Sequence, residues 1–426
     1  MQDSATEKHT AKPGAMRDWL GKLGPGVIAG AADDDPSGIA TYSIAGAQFG
    51  TQLLWTAWFT WPLMAFVQMM CARIGMVTGT GLAGALRHKF PKPVLVAACF
   101  ALLAANSINV GADLAGMADA AELLTGVSSH LFVVLLGLGI AWAVIRYRYH
   151  QIANVLKWLA LVLAAYVVTA FLIKPDWGLV LSSFAHVSIP AKGGLAMVVA
   201  IFGTTISPYL FFWQAAQEVE EEKSMGRRMQ KSRVGATSKE ISDRVFDVGV
   251  GTLFSNVVMF FVIVCTALTL HAHGMTEIST SREVAEALRP LAGDAAMLLY
   301  TIGIVGVGLL AIPTLTGSAA YAFSETFRWR HGLDEKWWQA RAFYGVIAFS
   351  TVVGIAMDFI GINPVSALFW TAVINGALAP FLLIGILAVA RDKKIMHGQP
   401  SSLLSQGVVG LTIVVMFAAA IGTFIL

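Results

Sequence analysis

Residues 31–38, with the sequence AADDDPSG, lie in the middle of a segment, 24–49, that is otherwise apolar. A charged side chain at the centre of a bilayer costs at least about 2.5–3.5 kcal/mol. Proline removes a backbone donor and disfavours the helical conformation of the residue before it. A helix through this segment should therefore break near Asp35, before Pro36. From Gly24 to Asp34 a helix rises roughly 16 Å, about half the hydrocarbon core, so the break falls near the membrane midplane.

The composition of the whole chain is typical of a membrane protein. Of its 426 residues, 56% are hydrophobic and 13% are charged, whereas soluble domains are about 45–50% apolar and about 25% charged. An ordinary soluble enzyme and a disordered chain are both excluded. The net charge of +3 is too small for a nucleic-acid surface. We expect the lipid bilayer as the surroundings, no nucleic-acid partner and no obligate protein partner.

Eleven segments satisfy the requirement for about 20 mostly apolar residues in a membrane-crossing helix. They are 24–49, 52–75, 94–122, 131–146, 151–173, 193–217, 245–270, 295–325, 342–360, 364–390 and 403–425. The sequence therefore predicts an all-α polytopic membrane protein. We expect a tail over residues 1–23 and a single transmembrane domain over 24–426.

The distribution of Lys and Arg predicts the orientation. With the N-terminus in the cytoplasm, 25 of the 29 Lys and Arg residues fall inside and four fall outside. Cytoplasmic loops carry an excess of these residues. We therefore expect a multi-pass protein of the cell (inner) membrane, with a cytoplasmic N-terminus and an external C-terminus.

A second break is predicted in the sixth segment, where GTTISPY occupies residues 203–209 and Pro208 follows a run of hydroxyls. The segments that hold Pro36 and Pro208 are five apart in the order of spans, so they cross the membrane in opposite directions. This pattern indicates an inverted repeat, 24–173 and 193–390, followed by an extra helix over 403–425. A simple proline kink remains the alternative for Pro208, but a kink at Pro36 would not need carboxylates.

Acidic groups at a fixed depth in the membrane indicate a cation. Asp35 and the adjacent Asp34 offer hard oxygen donors, and the sequence places neither cysteine clusters nor histidines at this depth. Such donors suit Mg²⁺, Ca²⁺ or Mn²⁺ better than Zn²⁺ or Cu²⁺. A transported divalent ion, and no separate cofactor, is the expectation.

Three motifs resemble those of the natural resistance-associated macrophage protein (Nramp) family of divalent-metal transporters. Residues 35–38, DPSG, stand where the family has Asp-Pro-Gly-Asn. Residues 207–209, SPY, stand where it has Met-Pro-His, and residues 113–116, DLAG, stand where it has Asp-Leu-Ala-Glu. The resemblance covers nearly the whole chain. It implies a leucine-transporter-like fold that imports divalent cations by alternating access, with helices 1 and 6 holding the ion.

Carried over by position, the resemblance implies roles for individual residues. Asp35 takes the place of the metal-binding carboxylate, and Ala32 and Thr204 take the places of carbonyl ligands. Ser207 replaces the family methionine and Gly38 replaces the asparagine. The same resemblance places Asp113 on a proton pathway in the third helix.

The departures from the family pattern bear on the ion and on coupling. Serine is a harder donor than methionine, and Gly38 is expected to open room for an ion that keeps its waters, as Mg²⁺ prefers. The chain thus resembles the Nramp-related branch that includes magnesium transporters, with Mn²⁺ and Fe²⁺ as alternatives. Because Tyr209 and Gly116 replace a histidine and a carboxylate, proton-coupled and uncoupled transport both remain open.

Further polar residues complete the predicted site. Asn106, Asn109 and Asp113 share one helix face and predict a polar file, with interhelical hydrogen bonding as the alternative. A second set of residues is expected around the ion or in helix packing: Tyr209, Asn256, Thr371 and Asn375. An amino-acid or organic-cation carrier on the same fold is the alternative function. No motif supports an enzyme or a sensor.

Overall fold

The computed structural model describes residues 24–147 and 161–425, which form helices and connecting turns without a β-strand. The helices are α1 Pro25–Asp33, α2 Pro36–Phe49, α3 Trp55–Thr78, α4 Leu82–Leu86, α5 Lys92–Thr125, α6 Ser129–Arg146, α7 Ala164–Ile173, α8 Trp177–Ala185, α9 Gly194–Thr205, α10 Pro208–Ser224, α11 Ser238–Thr269, α12 Ser281–Glu286, α13 Arg289–Ala292, α14 Ala296–Phe327, α15 Arg341–Asp358, α16 Pro364–Ala390 and α17 Leu403–Ile425. The predicted tail, residues 1–23, lies outside the described ranges.

Nine helical segments in the described ranges are long and apolar enough to cross a membrane. They match nine of the predicted spans to within a few residues at most ends, and α9 and α10 together form the sixth. The first predicted span is the broken pair α1 and α2. The fifth is represented by α7, because residues 148–160 lie outside the description. The prediction of an all-helical polytopic protein is confirmed.

Both helix breaks fall where the sequence predicts them, and their backbones match. Asp34 (φ −80°, ψ 47°) ends α1, and Asp35 (φ −66°, ψ 172°) is extended before the proline that begins α2. Ile206 (φ −117°, ψ 58°) and Ser207 (φ −79°, ψ 133°) repeat this order between α9 and α10. The extended residue is the one that proline requires before it. Two equivalent breaks support the predicted inverted repeat, whose division into 24–173 and 193–390 stays a prediction.

Glycines let the broken helices approach their neighbours closely. A Cβ at Gly30 would collide with the backbone of Gly251 in α11, and one at Gly251 would collide with the carbonyl of Gly26. In the other broken helix, a Cβ at Gly203 would collide with the backbone of α16 around Gly376. The first half of each broken span is therefore packed backbone to backbone against a long helix. This packing fixes where the break at its end lies in space, relative to that helix.

Candidate functional site

Asp35 connects the first break to α5. Its carboxylate accepts a hydrogen bond from the backbone N–H of Gly38 (2.7 Å), which caps the N-terminus of α2. Its other oxygen accepts from the side-chain amide of Asn109 (3.2 Å), and the same amide nitrogen lies 3.1 Å from the carboxylate of Asp113. The side chains of Asp35, Asn109 and Asp113 are all buried. Two predicted site carboxylates are thus joined by one asparagine.

The predicted polar residues of α5 and α16 divide into two groups. Asn375 donates to the side-chain oxygen of Asn109 (3.4 Å) and so extends the site to α16. Thr371 instead returns its hydroxyl to the Leu368 carbonyl of its own helix. Asn106 points away, because its amide donates to the Leu315 carbonyl and the Ser318 hydroxyl of α14 at 2.8 Å each. The predicted file therefore reaches the break through Asn109 and Asp113, whereas Asn106 takes part in helix packing.

Asp33 and Asp34 face the opposite neighbour, α11. The hydroxyl of Ser255 lies 2.6 Å from Asp33 Oδ2 and 3.1 Å from Asp34 Oδ1. Both aspartates are fully buried, and Asp33 Oδ1 and Asp34 Oδ2 have no hydrogen-bond partner. Ser255 has a single hydroxyl proton to share between two carboxylates. Sequence reasoning missed Ser255, although a serine in an apolar span beside Asn256 was a usable signal.

The second break contributes carbonyl and hydroxyl oxygens. The Ser207 hydroxyl lies within donating distance of the carbonyls of Gly203 (2.8 Å) and Thr204 (2.6 Å), one turn back in α9. The Tyr209 hydroxyl donates to the carbonyl of Ala32 (2.8 Å) and ties α10 to the end of α1. The two predicted carbonyl ligands, of Ala32 and Thr204, thus lie beside hydroxyl donors. Each carbonyl oxygen has a second lone pair that remains available to an ion.

The space beside Gly38 is smaller than its missing side chain led us to expect. A Cβ at this position would lie 3.1 Å from the Thr204 hydroxyl and 3.2 Å from the Asp33 carbonyl. Both distances are tighter than ordinary van der Waals contact. The expectation that Gly38 opens room is therefore corrected, because α9 and the end of α1 fill the space that a side chain would occupy.

Asn256 lies in α11 but faces α3. Its side-chain oxygen accepts from the Thr60 hydroxyl (2.7 Å), and its amide donates to the Thr252 carbonyl (2.8 Å). The amide also lies 3.6 Å from the sulfur of Met64. These contacts are those of a polar pair between packed helices, the alternative that the sequence left open.

A second acidic cluster, which sequence reasoning missed, lies where α1 begins. Arg244 of α11 forms an ion pair with Glu218 (2.8 Å) and another with Glu221, both from α10. It also pairs with Asp247, one turn further along α11 (2.5 Å). Arg244 keeps only 10% of its side chain exposed. We call these four residues the Arg244 cluster.

Asp247 also holds the N-terminus of α1. Its carboxylate oxygens accept hydrogen bonds from the backbone N–H groups of Gly24 (2.8 Å), Gly26 (2.7 Å) and Val27 (3.2 Å). The first N–H groups of a helix have no partner within it and attract negative charge. A carboxylate within the predicted seventh span was the sequence signal for this role, since a charge at that depth needs a partner.

The oxygens at the two breaks are suited to a hard cation. Within the described residues no three His, Cys, Asp or Glu side chains converge as a metal cage. No Lys, Arg or His of the described ranges lies within ion-pair distance of the carboxylates of Asp33, Asp34, Asp35 or Asp113. An ion here would meet carboxylate, carbonyl, amide and hydroxyl oxygens, which Mg²⁺, Ca²⁺ and Mn²⁺ accept.

The sequence of the chain matches a known protein family. The family described as "Natural resistance-associated macrophage protein-like" matches residues 26–426, nearly the whole chain. The chain belongs to the Nramp family. The chain is 27% identical over 400 residues to a protein of Aeromonas hydrophila named divalent metal cation transporter MntH, with 91% of each chain covered. A Yersinia pestis protein of the same name is 28% identical over 310 residues, or 71% of each chain.

Solved structures identify the fold of this Nramp protein. The manganese transporter of Eremococcus coleocola matches it with a TM-score of 0.72 at 18% identity, over 96% of this chain and 87% of the other. The inward-facing structure of Mhp1 matches with a TM-score of 0.54 at 15% identity, over 93% and 88% of the two chains. The predicted leucine-transporter-like fold is confirmed.

Proposed function

We propose that this protein transports divalent metal cations across a cell membrane by alternating access. The observation that carries the proposal is the group of four buried aspartates, at the first break and on α5, with which no Lys, Arg or His of the described ranges forms an ion pair. Buried charges are normally paired or bind an ion. A cargo cation that arrives from water and leaves again provides the missing positive charge.

Relatives and donor chemistry support Mg²⁺ and Mn²⁺ or Fe²⁺ as the cargo. The relatives of Aeromonas and Yersinia are named as divalent metal cation transporters, and the structural neighbour of Eremococcus is a manganese transporter. Ser207 places no sulfur at the site, and a set of oxygen ligands favours Mg²⁺ more than a thioether would. The cargo we propose is therefore Mg²⁺, or Mn²⁺ and Fe²⁺ carried by the same oxygens.

Charged residues also support a direction of transport and a residue for proton coupling. The excess of Lys and Arg in the predicted inner loops supports a cytoplasmic N-terminus, and in that orientation the Arg244 cluster would close the cytoplasmic end of α1. An imported ion would reach the cytoplasm when the cytoplasmic end of α1 opens. Asp113, joined to Asp35 through Asn109, is the residue through which we propose that a proton accompanies the ion.

An organic substrate on the same fold is the second candidate, and the site argues against it. MhsT, solved with L-phenylalanine, shares the fold with a TM-score of 0.55 at 14% identity. A carboxylate substrate would be repelled by Asp33, Asp34 and Asp35, which are buried together. A family of transporters also leaves no support for an enzyme.

Uptake into proteoliposomes tests the proposal directly. We expect the purified protein to take up Mg²⁺ and Mn²⁺ above the level of empty vesicles, with acidification of the lumen if a proton accompanies the ion. Ca²⁺ and L-phenylalanine, measured side by side, report on ion preference and on the organic alternative. Uptake of phenylalanine without uptake of any divalent ion would overturn the assignment.

A further inference from the structure

The number of buried carboxylates exceeds what one cargo ion neutralises. Asp33, Asp34, Asp35 and Asp113 would carry four negative charges when ionised, and a divalent cation supplies two positive charges. No basic side chain of the described ranges pairs with any of them. An unpaired charge inside a membrane protein is expensive. The remaining negative charge must be neutralised when the cargo is bound, either by protons on the carboxylates or by a second cation.

The four carboxylates fall into two groups that face different helices. Asp35 and Asp113 share Asn109 on the α5 side. Asp33 and Asp34 share the Ser255 hydroxyl on the α11 side. Three consecutive residues are thus divided by the break itself, because the chain changes direction between Asp34 and Asp35. Among the described residues, the two groups share no hydrogen-bonding partner.

The α11-facing group has unused oxygen atoms. Asp33 Oδ1 and Asp34 Oδ2 are buried and accept no hydrogen bond. A residue outside the acidic run points to the same place: Tyr42 of α2 is fully buried, and its hydroxyl has no partner at hydrogen-bonding distance. The ring of Tyr42 lies beside Gly38, next to the Asp33 carbonyl and the Thr204 hydroxyl. Buried polar atoms without partners usually mark a water or an ion.

We propose that Asp33, Asp34 and Ser255 form a second cation site, separate from the one at Asp35, that takes a hard divalent cation. Two carboxylates balance two positive charges, and the Ser255 hydroxyl and water complete an all-oxygen set. Tyr42 supplies a hydroxyl beside it. The inference rests on the proposed function, since it requires divalent ions to reach the membrane midplane.

Mn²⁺ binding to the purified full-length protein tests the second site. The paramagnetic resonance signal of aqueous Mn²⁺ falls as the ion binds, so a titration counts the ions per chain. We expect two Mn²⁺ per wild-type chain and one in the double variant Asp33→Asn with Asp34→Asn. Ser255→Ala, which changes one hydroxyl, should keep two ions but weaken one of them about tenfold.

Two further variants make the count specific. Asp35→Asn should also leave one ion, at the α11-facing group. Asp294→Asn, which changes an exposed aspartate, should leave two and serves as the control for the substitution. Thermal melting of each variant confirms that it is folded before the titration.

The outcomes separate this inference from the proposed function. A wild-type chain that takes up Mn²⁺ but binds one ion, retained in the Asp33 and Asp34 variant, overturns the second site alone. A single ion that is lost from both acidic variants also overturns it, because the carboxylates then form one shared site. No Mn²⁺ binding and no uptake by the wild type would overturn the proposed function and the inference together.

Discussion

Two clusters of mostly buried carboxylates touch α1 in the part of the chain that the structure describes, and only one of the two contains a cationic side chain. In the Arg244 cluster, Glu218, Glu221 and Asp247 surround a guanidinium, and Asp247 also caps α1. At the first break no described Lys, Arg or His pairs with the aspartates. Both clusters touch α1 and α11, about ten residues apart along the sequence of α1.

This difference distinguishes a cluster that stabilises the fold from a cluster that binds the transported ion. A permanent cation allows the Arg244 cluster to hold three helices together whether or not cargo is present. Carboxylates without a cationic side chain beside them are stabilised when a cation binds, which suits a site that must bind and release an ion. Removing a carboxylate should therefore have opposite effects on stability in the two places.

The largest effect is expected at Asp35. Asp35→Ala should abolish uptake of Mg²⁺ and Mn²⁺, a loss of at least about a hundredfold and about 2.7 kcal/mol, because it removes a charged ligand. Stability should hold or rise, since a buried negative charge is relieved. Uptake by proteoliposomes and thermal melting measure the two effects.

Asp35→Asn is the matched control, because an asparagine can still accept the Gly38 N–H that caps α2. It should be as inactive as the alanine variant and at least as stable. Near-wild-type uptake by a well-folded variant of either kind would show that Asp35 does not hold the ion.

Arg244→Ala should produce the largest loss of stability. It leaves the buried Glu218 and Asp247 and the partly exposed Glu221 without their cationic partner, and removing one member of a buried ion pair costs about 3–5 kcal/mol. Thermal melting should show the loss clearly. The matched control is Arg330→Ala, because Arg330 pairs with Glu335 at the surface with 57% of its side chain exposed. Equal melting temperatures for the two variants would mean that the Arg244 cluster does not stabilise the fold.

Ser207→Met should change selectivity by a smaller amount. A thioether favours Mn²⁺, Fe²⁺ or Cd²⁺ over Mg²⁺, so the ratio of Cd²⁺ to Mg²⁺ uptake should rise about tenfold, on the order of 1.4 kcal/mol. The substitution also removes the hydroxyl that bonds Gly203 and Thr204. Ser207→Ala removes the same hydroxyl without adding sulfur and is the control. A ratio unchanged by methionine would place residue 207 away from the ion.

The smallest effect is expected for a charge pair at the surface. Lys89 donates to Asp392 (2.7 Å) with 41% of its own side chain exposed. This hydrogen bond holds the pKa of Asp392 below its ordinary value, so any stability it adds is present at neutral pH and lost as the solution is acidified. Lys89→Ala should leave the melting temperature unchanged at neutral pH, as exposed pairs contribute little. A drop in the melting temperature at neutral pH as large as that of Arg244→Ala would mean that this surface pair stabilises the fold as much as the Arg244 cluster does.

Features of the fold that depend on neighbouring residues were predictable from the sequence. Pro36 and Pro208 fix the two breaks because proline acts on its own helix and on the residue before it. Asp35 precedes Pro36 and becomes the N-cap of α2 for the same local reason. The apolar segments similarly predicted spans with helix ends close to those observed.

The directions of side chains at the break were not predictable. Asp33, Asp34 and Asp35 are adjacent, yet two face α11 and one faces α5, because the direction depends on backbone angles at the break and on distant helices. The closeness of Thr204 to Gly38 has the same origin. Asp247 reaches Gly26 across 221 residues, a separation over which no sequence pattern acts.

The packing of Gly30 on Gly251 has a mechanical consequence. Two backbones in direct contact have no side chain between them that could change rotamer to absorb a displacement. A Cβ at Gly30 would collide with the Gly251 carbonyl oxygen, so this contact depends on the absence of a side chain at residue 30. A displacement of α1 is therefore transmitted directly to the backbone of α11.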